Sequence, residues 1–274
     1  MSLAGKTFLI TGATGGMGRA VTQALLEKKA HVILVSKDEK KLLDLKRELN
    51  TRFPQSAITV RACDVSQTQE VNQSIHEILK EHPSLDGLVT LAGYNKNYAE
   101  ISEWLPSPHH IQTLENIIQT DLLGTARFVF HLEPLFRARK KGIIISMAAI
   151  TVLETWAQDL LFQMAKAGVK KMVESIAAQH ARDGVTGVSI FGLAPGNVFN
   201  PTTYGGMTAS RRLQADAEGW LDSKMHIAPI LEGLLSEKLK IKSGTTLRLN
   251  LENVAKLFCE MNMDYVPFTP PENR

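Results

Sequence analysis

The 274-residue sequence predicts an α/β fold, a single doubly wound parallel sheet of about seven strands with helices on both faces. Three observations carry that expectation. Short β-branched runs alternate with longer helical patterns along the whole chain, which is how parallel strands joined by crossover helices read in sequence. Most of the strand-like runs are continuously apolar rather than alternating, as expected of strands covered on both faces. The first of them ends directly in a glycine cluster, Thr11-Gly12-Ala13-Thr14-Gly15-Gly16-Met17-Gly18, followed by a helical pattern from about Arg19.

Taken in order, strands are expected at residues 7–11, 31–35, 57–61, 85–90, 142–147, 187–192 and 246–250. Helices fill the gaps. Asp38 reads as the N-cap of a helix over 39–49. Two longer helices are expected around 111–137 and 157–182, the second with Val169, Met172, Val173, Ile176 and Ala177 at helical spacing. Residues 195–241 break the rhythm with prolines, paired glycines and Arg211-Arg212, and a segment of that length is expected to cover a site and to hold helices of its own. The chain is thus read as one domain over 1–265 that includes this insert, with 266–274, proline-rich and polar, as a flexible C-terminal tail.

Composition narrows the function. Hydrophobic residues at 44% and charged residues at 22% exclude collagen-like, disordered and disulfide-scaffold classes. A net charge of +3 is too small for the footprint of a nucleic-acid or membrane binder. Cys63 and Cys259 have no metal-ligand spacing, so no metal is expected and a reducing, cytoplasmic location is. The longest apolar-leaning stretch, 143–153, falls short of the roughly 18 to 20 residues that span a bilayer.

The glycine cluster has a physical reading. Glycine permits positive φ and close approach of backbone to a pyrophosphate, and the helix that follows offers unpaired N–H groups and a positive dipole end. An ordinary tight strand–helix turn is the plain alternative.

At this point the chain resembles the classical short-chain dehydrogenase/reductase family, a Rossmann-type fold whose glycine motif is Thr-Gly-x-x-x-Gly-x-Gly, and the resemblance spans almost the whole chain. It implies that Thr11, Gly12, Thr14, Gly15, Gly16, Met17 and Gly18 hold a dinucleotide. Cys63-Asp64-Val65 looks like the family's adenine contact, with the Asp64 carboxylate accepting the exocyclic amine; a turn or helix cap is an equally good reading of Asp64. Thr90-Leu91-Ala92-Gly93 stands where the family has Asn-Asn-Ala-Gly, keeping Ala92 and Gly93. Ala194-Pro195-Gly196, with Val198 just beyond, matches the Pro-Gly turn beside the nicotinamide. A carboxylate ending strand two would accept from a ribose 2′-hydroxyl and repel a 2′-phosphate. Ser36 and Lys37 stand there instead, which favours NADP(H) over NAD(H), although Lys37 also reads as a solvated loop charge. The resemblance further implies a homodimer or homotetramer through the two long helices.

Members of this family reduce carbonyls or oxidise alcohols at the nicotinamide, with a Tyr moving the proton, a Lys four residues on, a Ser on strand five and an Asn in the preceding long helix. In Phe162-Gln163-Met164-Ala165-Lys166-Ala167-Gly168 the Tyr position holds Phe162 and only Lys166 is retained. Met147 occupies the Ser position, with Ser146 expected to point to the opposite sheet face, and Asp121 replaces the Asn. Apolar packing is the plain reading of Phe162 and Met147.

The resemblance with these losses implies an NADP(H)-binding protein whose oxidoreductase chemistry is lost or strongly impaired, serving as a sensor or as a binding or assembly subunit. Two alternatives stay open. One is an active NADP-dependent oxidoreductase with a rearranged donor, Tyr94 or Tyr204, with Asp121, His109 and His110 as further candidates. The other is a non-redox enzyme whose bound dinucleotide shapes the pocket. Asp121 and Lys166 are expected to face each other as a partly buried ion pair. Trp156, Phe162, Tyr204, Met207 and Trp220 are candidates for an apolar pocket, a core or an interface.

Overall fold

The structure, a computed structural model, describes residues 1–94, 108–154, 160–207 and 209–270, without the side chains of 108–110, 202, 203, 206 and 210. Seven strands form one all-parallel sheet: β1 (Thr7–Thr11), β2 (His31–Ser36), β3 (Ile58–Ala62), β4 (Gly87–Thr90), β5 (Gly142–Met147), β6 (Val188–Pro195) and β7 (Thr246–Leu249). Their order across the sheet is β3-β2-β1-β4-β5-β6-β7. The order reverses between β1 and β4, and in open α/β sheets the crevice at the carboxyl ends of the strands at such a reversal is where ligands bind.

Helices α1 (Gly16–Glu27) and α2 (Glu39–Arg52) cover one face with α9 (Ala228–Leu235) and α10 (Leu251–Glu260). On the other lie α3 (Thr68–Glu81), α5 (Thr125–Arg139) and α6 (Leu160–Arg182). The strands explain the division. Phe8, Ile10, Val32, Leu34, Val89, Ile145 and Leu193 point into the first core, and Leu9, Ile33, Val35, Leu88, Ile144 and Ile190, one position out of phase, into the second. Ser146 lies buried between Ile145 and Met147, so alternation turns it away from the face Met147 joins.

The expected strands are all present, β1 and β5 with the expected ends and the other five with shifted ones. β6 runs to Pro195 rather than stopping at 192, because Gly192 to Pro195 continue to pair with β7. Asp38 caps α2 as expected, its carboxylate accepting from the Lys41 N–H at 2.9 Å, and the helix continues to Arg52 rather than to 49. The single helix expected over 111–137 is three pieces: α4 (Pro108–Ile117), a π-helical turn (Ile118–Gly124) and α5. The insert after β6 contains α7 (Pro201–Gly206), α8 (Ala209–Glu218) and a second π-helical turn (Ser223–Ile227).

Part of the segment expected to form the C-terminal tail touches the insert. Val266 accepts a hydrogen bond from His226 Nε2 through its backbone oxygen at 2.9 Å, and Phe268 bridges to Trp220 with its ring 5.6 Å from that of Phe199. Val266 itself is exposed and Phe268 half-buried, so the contact rests on the Phe268 ring and that one hydrogen bond. Residues 271–274 lie outside the described residues.

Candidate active site

The site is assembled where β1 and β4 part. Thr11 Oγ1 accepts from the Ala92 N–H at 3.3 Å and so ties the two departing chains together. Gly12 follows with φ of +68°, and a Cβ there would lie 2.6 Å from Ala92 N. The Gly15 N–H closes the loop on Gly12 O at 3.0 Å, and a Cβ on Gly18 would lie 2.3 Å from that same oxygen. Helix α1 then starts at Gly16 with Gly15 as N-cap, so no side chain occupies its first N–H groups.

Two adjoining cavities open over this loop, sharing Leu91 and Gly93 as their common wall. The first, about 230 Å³, is lined by Gly12, Thr14, Gly15, Ser36, Lys37, Asp64, Val65, Ala92 and Gly93, together with Tyr94 and Thr120. Ser36 and Thr14 hydrogen-bond each other through their hydroxyls at 2.8 Å, and Lys37 is exposed at the rim. Asp64 Oδ1 accepts from the Ser66 N–H at 2.9 Å, which makes the turn reading of this residue correct in geometry and leaves its carboxylate on the cavity wall.

The second cavity, about 300 Å³, is lined by Gly16, Met17, Asp121, Met147, Phe162, Lys166, Pro195, Gly196 and Val198, and by Asn197, Asn200, Arg211, Trp220 and Ser223. Thr11 and Gly18 line neither cavity; they hold the loop in shape from behind. A dinucleotide fits what is present. A Cβ on Gly15 would meet only Gly12 O, at 3.3 Å, and one on Gly16 only Asn200 Nδ2 and Ser223 Oγ, at 3.7 and 4.0 Å. The uncapped helix end therefore faces open space where a phosphate can approach.

Lys166 and Asp121 meet in the second cavity as a buried ion pair. Nζ of Lys166 lies 3.1 Å from Asp121 Oδ2, with side chains 5% and 1% exposed. The same ammonium donates to Met147 O at 3.1 Å and stands 5.5 Å from the centre of the Phe162 ring. Asp121 Oδ1 accepts from the Tyr94 N–H, and the Thr125 hydroxyl donates to Asp121 O at 2.9 Å. Asp121 sits on the π-helical turn, a distortion frequent at functional sites. Arg127 anchors that turn to the loop after β3, donating to Val65 O and Gln119 O, each at 3.1 Å.

The two alternative donors lie elsewhere. Tyr94 lines the first cavity, not the one that holds Phe162 and Lys166. Tyr204 lines neither; its hydroxyl donates to Asp216 at 3.2 Å, and burial followed by the Asp216 carboxylate raises its pKa, which weakens it as an acid. The side chains of His109 and His110, and all of Trp156, fall outside the described residues. Met207 and Trp220 do line the second cavity, the latter inside an aromatic cluster with Phe199, Tyr204 and Phe268.

Sequence reasoning missed Asn197, Asn200, Arg211 and Ser223. Among the described residues no group of three or more His, Cys, Asp or Glu side chains is placed to hold a metal, and no helix is long and apolar enough to cross a membrane.

Comparison with known proteins bears on the same features. Residues 6–207 match the family model described as short chain dehydrogenase. An uncharacterized oxidoreductase of Staphylococcus epidermidis is 24% identical over 200 residues, 73% of this chain and 81% of the relative. The NADPH-dependent pterin aldehyde reductase of Arabidopsis thaliana is 28% identical over 195 residues, 71% of this chain and 75% of that one. Among solved structures, L-sorbose reductase from Gluconobacter frateurii, complexed with NADPH and L-sorbose, superposes with a TM-score of 0.77 at 20% identity, covering 91% of this chain and 97% of its own.

Proposed function

The chain belongs to the short-chain dehydrogenase family, and on that premise we propose that it is an NADP(H)-binding member whose Tyr-dependent carbonyl and alcohol chemistry is lost or strongly impaired. Its role is then to bind the dinucleotide as a sensor or as a binding or assembly subunit. One observation carries this reading: the retained Lys166 is engaged by Asp121 and Met147 O, and what stands beside it is the Phe162 ring.

A bound nicotinamide supplies hydride, and the protein has to supply a proton donor in hydrogen-bond reach of the substrate oxygen. Among the described residues lining the second cavity there is no Tyr, His or Cys. Its hydroxyls are those of Thr151 and Ser223, and Met147 presents a thioether where a hydroxyl would hold a carbonyl oxygen. Asp121 and Lys166 neutralise each other rather than poise either for transfer.

NADP(H) is favoured over NAD(H) because Ser36 and Lys37, not a carboxylate, line the first cavity at the end of β2. The NADPH dependence in the name of the Arabidopsis relative and the NADPH in the Gluconobacter structure support the same choice. Fluorescence titration with NADPH and NADH, followed by a nucleotide-consumption assay against a panel of ketones and aldehydes, tests the proposal. Tight NADPH binding with negligible consumption is the expected pair of results. Robust turnover abolished by Tyr94→Phe or Tyr204→Phe would replace this reading with that of an enzyme using a rearranged donor.

A further inference from the structure

Arg127 stands on α5 just past the π-helical turn, and its guanidinium joins that turn to the loop after β3. It donates four hydrogen bonds. Nε reaches Thr68 Oγ1 at 2.9 Å, Nη1 reaches both Val65 O and Gln119 O at 3.1 Å each, and Nη2 reaches Gln119 Oε1 at 2.8 Å. One nitrogen thus bonds a main-chain carbonyl from each segment. The rigid, planar fork of an arginine allows this, whereas a lysine carries a single point charge on a flexible stem. The two segments also touch directly, because a Cβ on Gly124 would lie 2.7 Å from Val65 Cγ2 and 3.1 Å from Val65 O.

The segments joined in this way serve different cavities. Asp64 and Val65 line the first, whereas in the π-helical turn Thr120 lines the first and its neighbour Asp121 the second. Gln119, which Arg127 grips by both its carbonyl and its side chain, stands two residues before Asp121. Asp121 in turn holds the Lys166 ammonium at 3.1 Å and accepts from the N–H of Tyr94, a residue of the first cavity wall. A π-helical stretch is rarely stable on its own account, so contacts at its edge keep it wide, and Arg127 supplies them at Gln119. The path from the adenine-side wall to the buried ion pair is therefore continuous.

We propose that Arg127 is a positioning residue that couples the two cavities: a ligand that orders the loop after β3 also steadies the π-helical turn and, through Asp121, the Lys166 ammonium. The proposal rests on the dinucleotide-binding reading for the identity of that ligand. On that reading the adenosine half in the first cavity favours the nicotinamide half in the second, and linkage makes the effect reciprocal. Arg127 lines neither cavity, so it acts on both halves only through the segments it joins.

A double-mutant cycle on the full chain without ligand provides the first test. Arg127 and Lys166 stand on different helices, and none of the Arg127 hydrogen bonds reaches Lys166, so uncoupled substitutions should add. In urea denaturation the loss caused by Arg127→Gln is expected to be about fivefold smaller, as a factor in the folding equilibrium constant, when Lys166→Met is already present. Additive losses would overturn the proposal. Calorimetric titration with nicotinamide mononucleotide and with adenosine 2′-monophosphate supplies a readout that a merely structural role would not move. Arg127→Gln should weaken the nicotinamide mononucleotide about fivefold, although that half belongs to the cavity Arg127 stands further from, and Arg127→Lys should recover part of the loss. Weakening of the adenosine nucleotide alone would confine Arg127 to the first cavity and overturn the coupling. If neither nucleotide binds the unsubstituted chain, the dinucleotide reading falls and the ligand-free cycle still decides the coupling. If Arg127→Gln does not fold, Arg127→Lys takes its place in the cycle.

Discussion

The two cavities on either side of Leu91 and Gly93 are built by different means. The first is shaped by backbone: a positive-φ glycine, an uncapped helix start and the main-chain hydrogen bond from the Leu91 N–H to Thr11 O between the chains leaving β1 and β4. The second is made of side chains, among them a buried ion pair, an aromatic ring, a thioether and a guanidinium. Backbone geometry admits few alternatives, since a Cβ at Gly12 or Gly18 would lie within 2.6 Å of main-chain atoms. Side-chain chemistry can be exchanged within an unchanged frame, and Phe162, Met147 and Asp121 occupy their positions without disturbing the sheet. The family's nucleotide motif can therefore persist beside altered chemistry.

The largest expected effect lies on the side-chain side. Asp121→Ala strands the Lys166 ammonium in a buried site and should cost about 3–5 kcal/mol in urea denaturation. The double change Asp121→Leu with Lys166→Met should cost clearly less, because no uncompensated charge remains. Equal losses would show that the pair contributes through packing rather than charge. On the backbone side, Gly12→Ala combines a left-handed conformation with a main-chain clash, for about 2–4 kcal/mol, and NADPH binding should fall with it. If Gly12→Ala binds NADPH normally, the loop tolerates more than its geometry indicates and the contrast between the cavities weakens.

Two smaller effects sharpen the contrast. Phe162→Tyr together with Met147→Ser puts a phenol and a hydroxyl back in the second cavity and should raise NADPH-dependent carbonyl reduction, by up to about 10²-fold, in a coupled absorbance assay. No gain would mean that these two positions alone do not silence the site. Lys37→Ala should reduce the preference for NADPH over NADH about tenfold, read by fluorescence titration. An unchanged preference would make Lys37 the solvated loop charge that its exposure also allows.

Continuous apolar runs and the glycine cluster made the sheet legible, because burial on both faces leaves few other residue choices in a strand. The Asp38 cap was legible for the same local reason. The π-helical turn was not, since inserting a residue into a helix leaves its composition and most of its apolar spacing intact. The Asp121–Lys166 pair followed from two aligned motifs, whereas the hydrogen bonds among Arg211, Asn197 and Glu218 join residues up to 21 positions apart in a segment without periodicity. The docking of Phe268 was hidden too: composition describes a proline-rich tail but not the aromatic cluster waiting for it.

The π-helical turn also makes this region sensitive to chain length in a way no substitution reproduces. Thr120 lines the first cavity and its neighbour Asp121 the second, so one wide turn of backbone serves both. Each residue of an ordinary helix advances about 1.5 Å and 100°. Deleting one codon between Ile118 and Gly124 would let the segment relax to regular α-helix. The flanking helices would keep nearly the phase they have, because the wide turn spreads its extra residue over about the same rotation, and what changes is the turn itself, on which Asp121 stands opposite Lys166. Reading frames that preserve every functional residue but lose that one position would therefore reshape the backbone on which the ion pair stands while leaving both flanking helices in register.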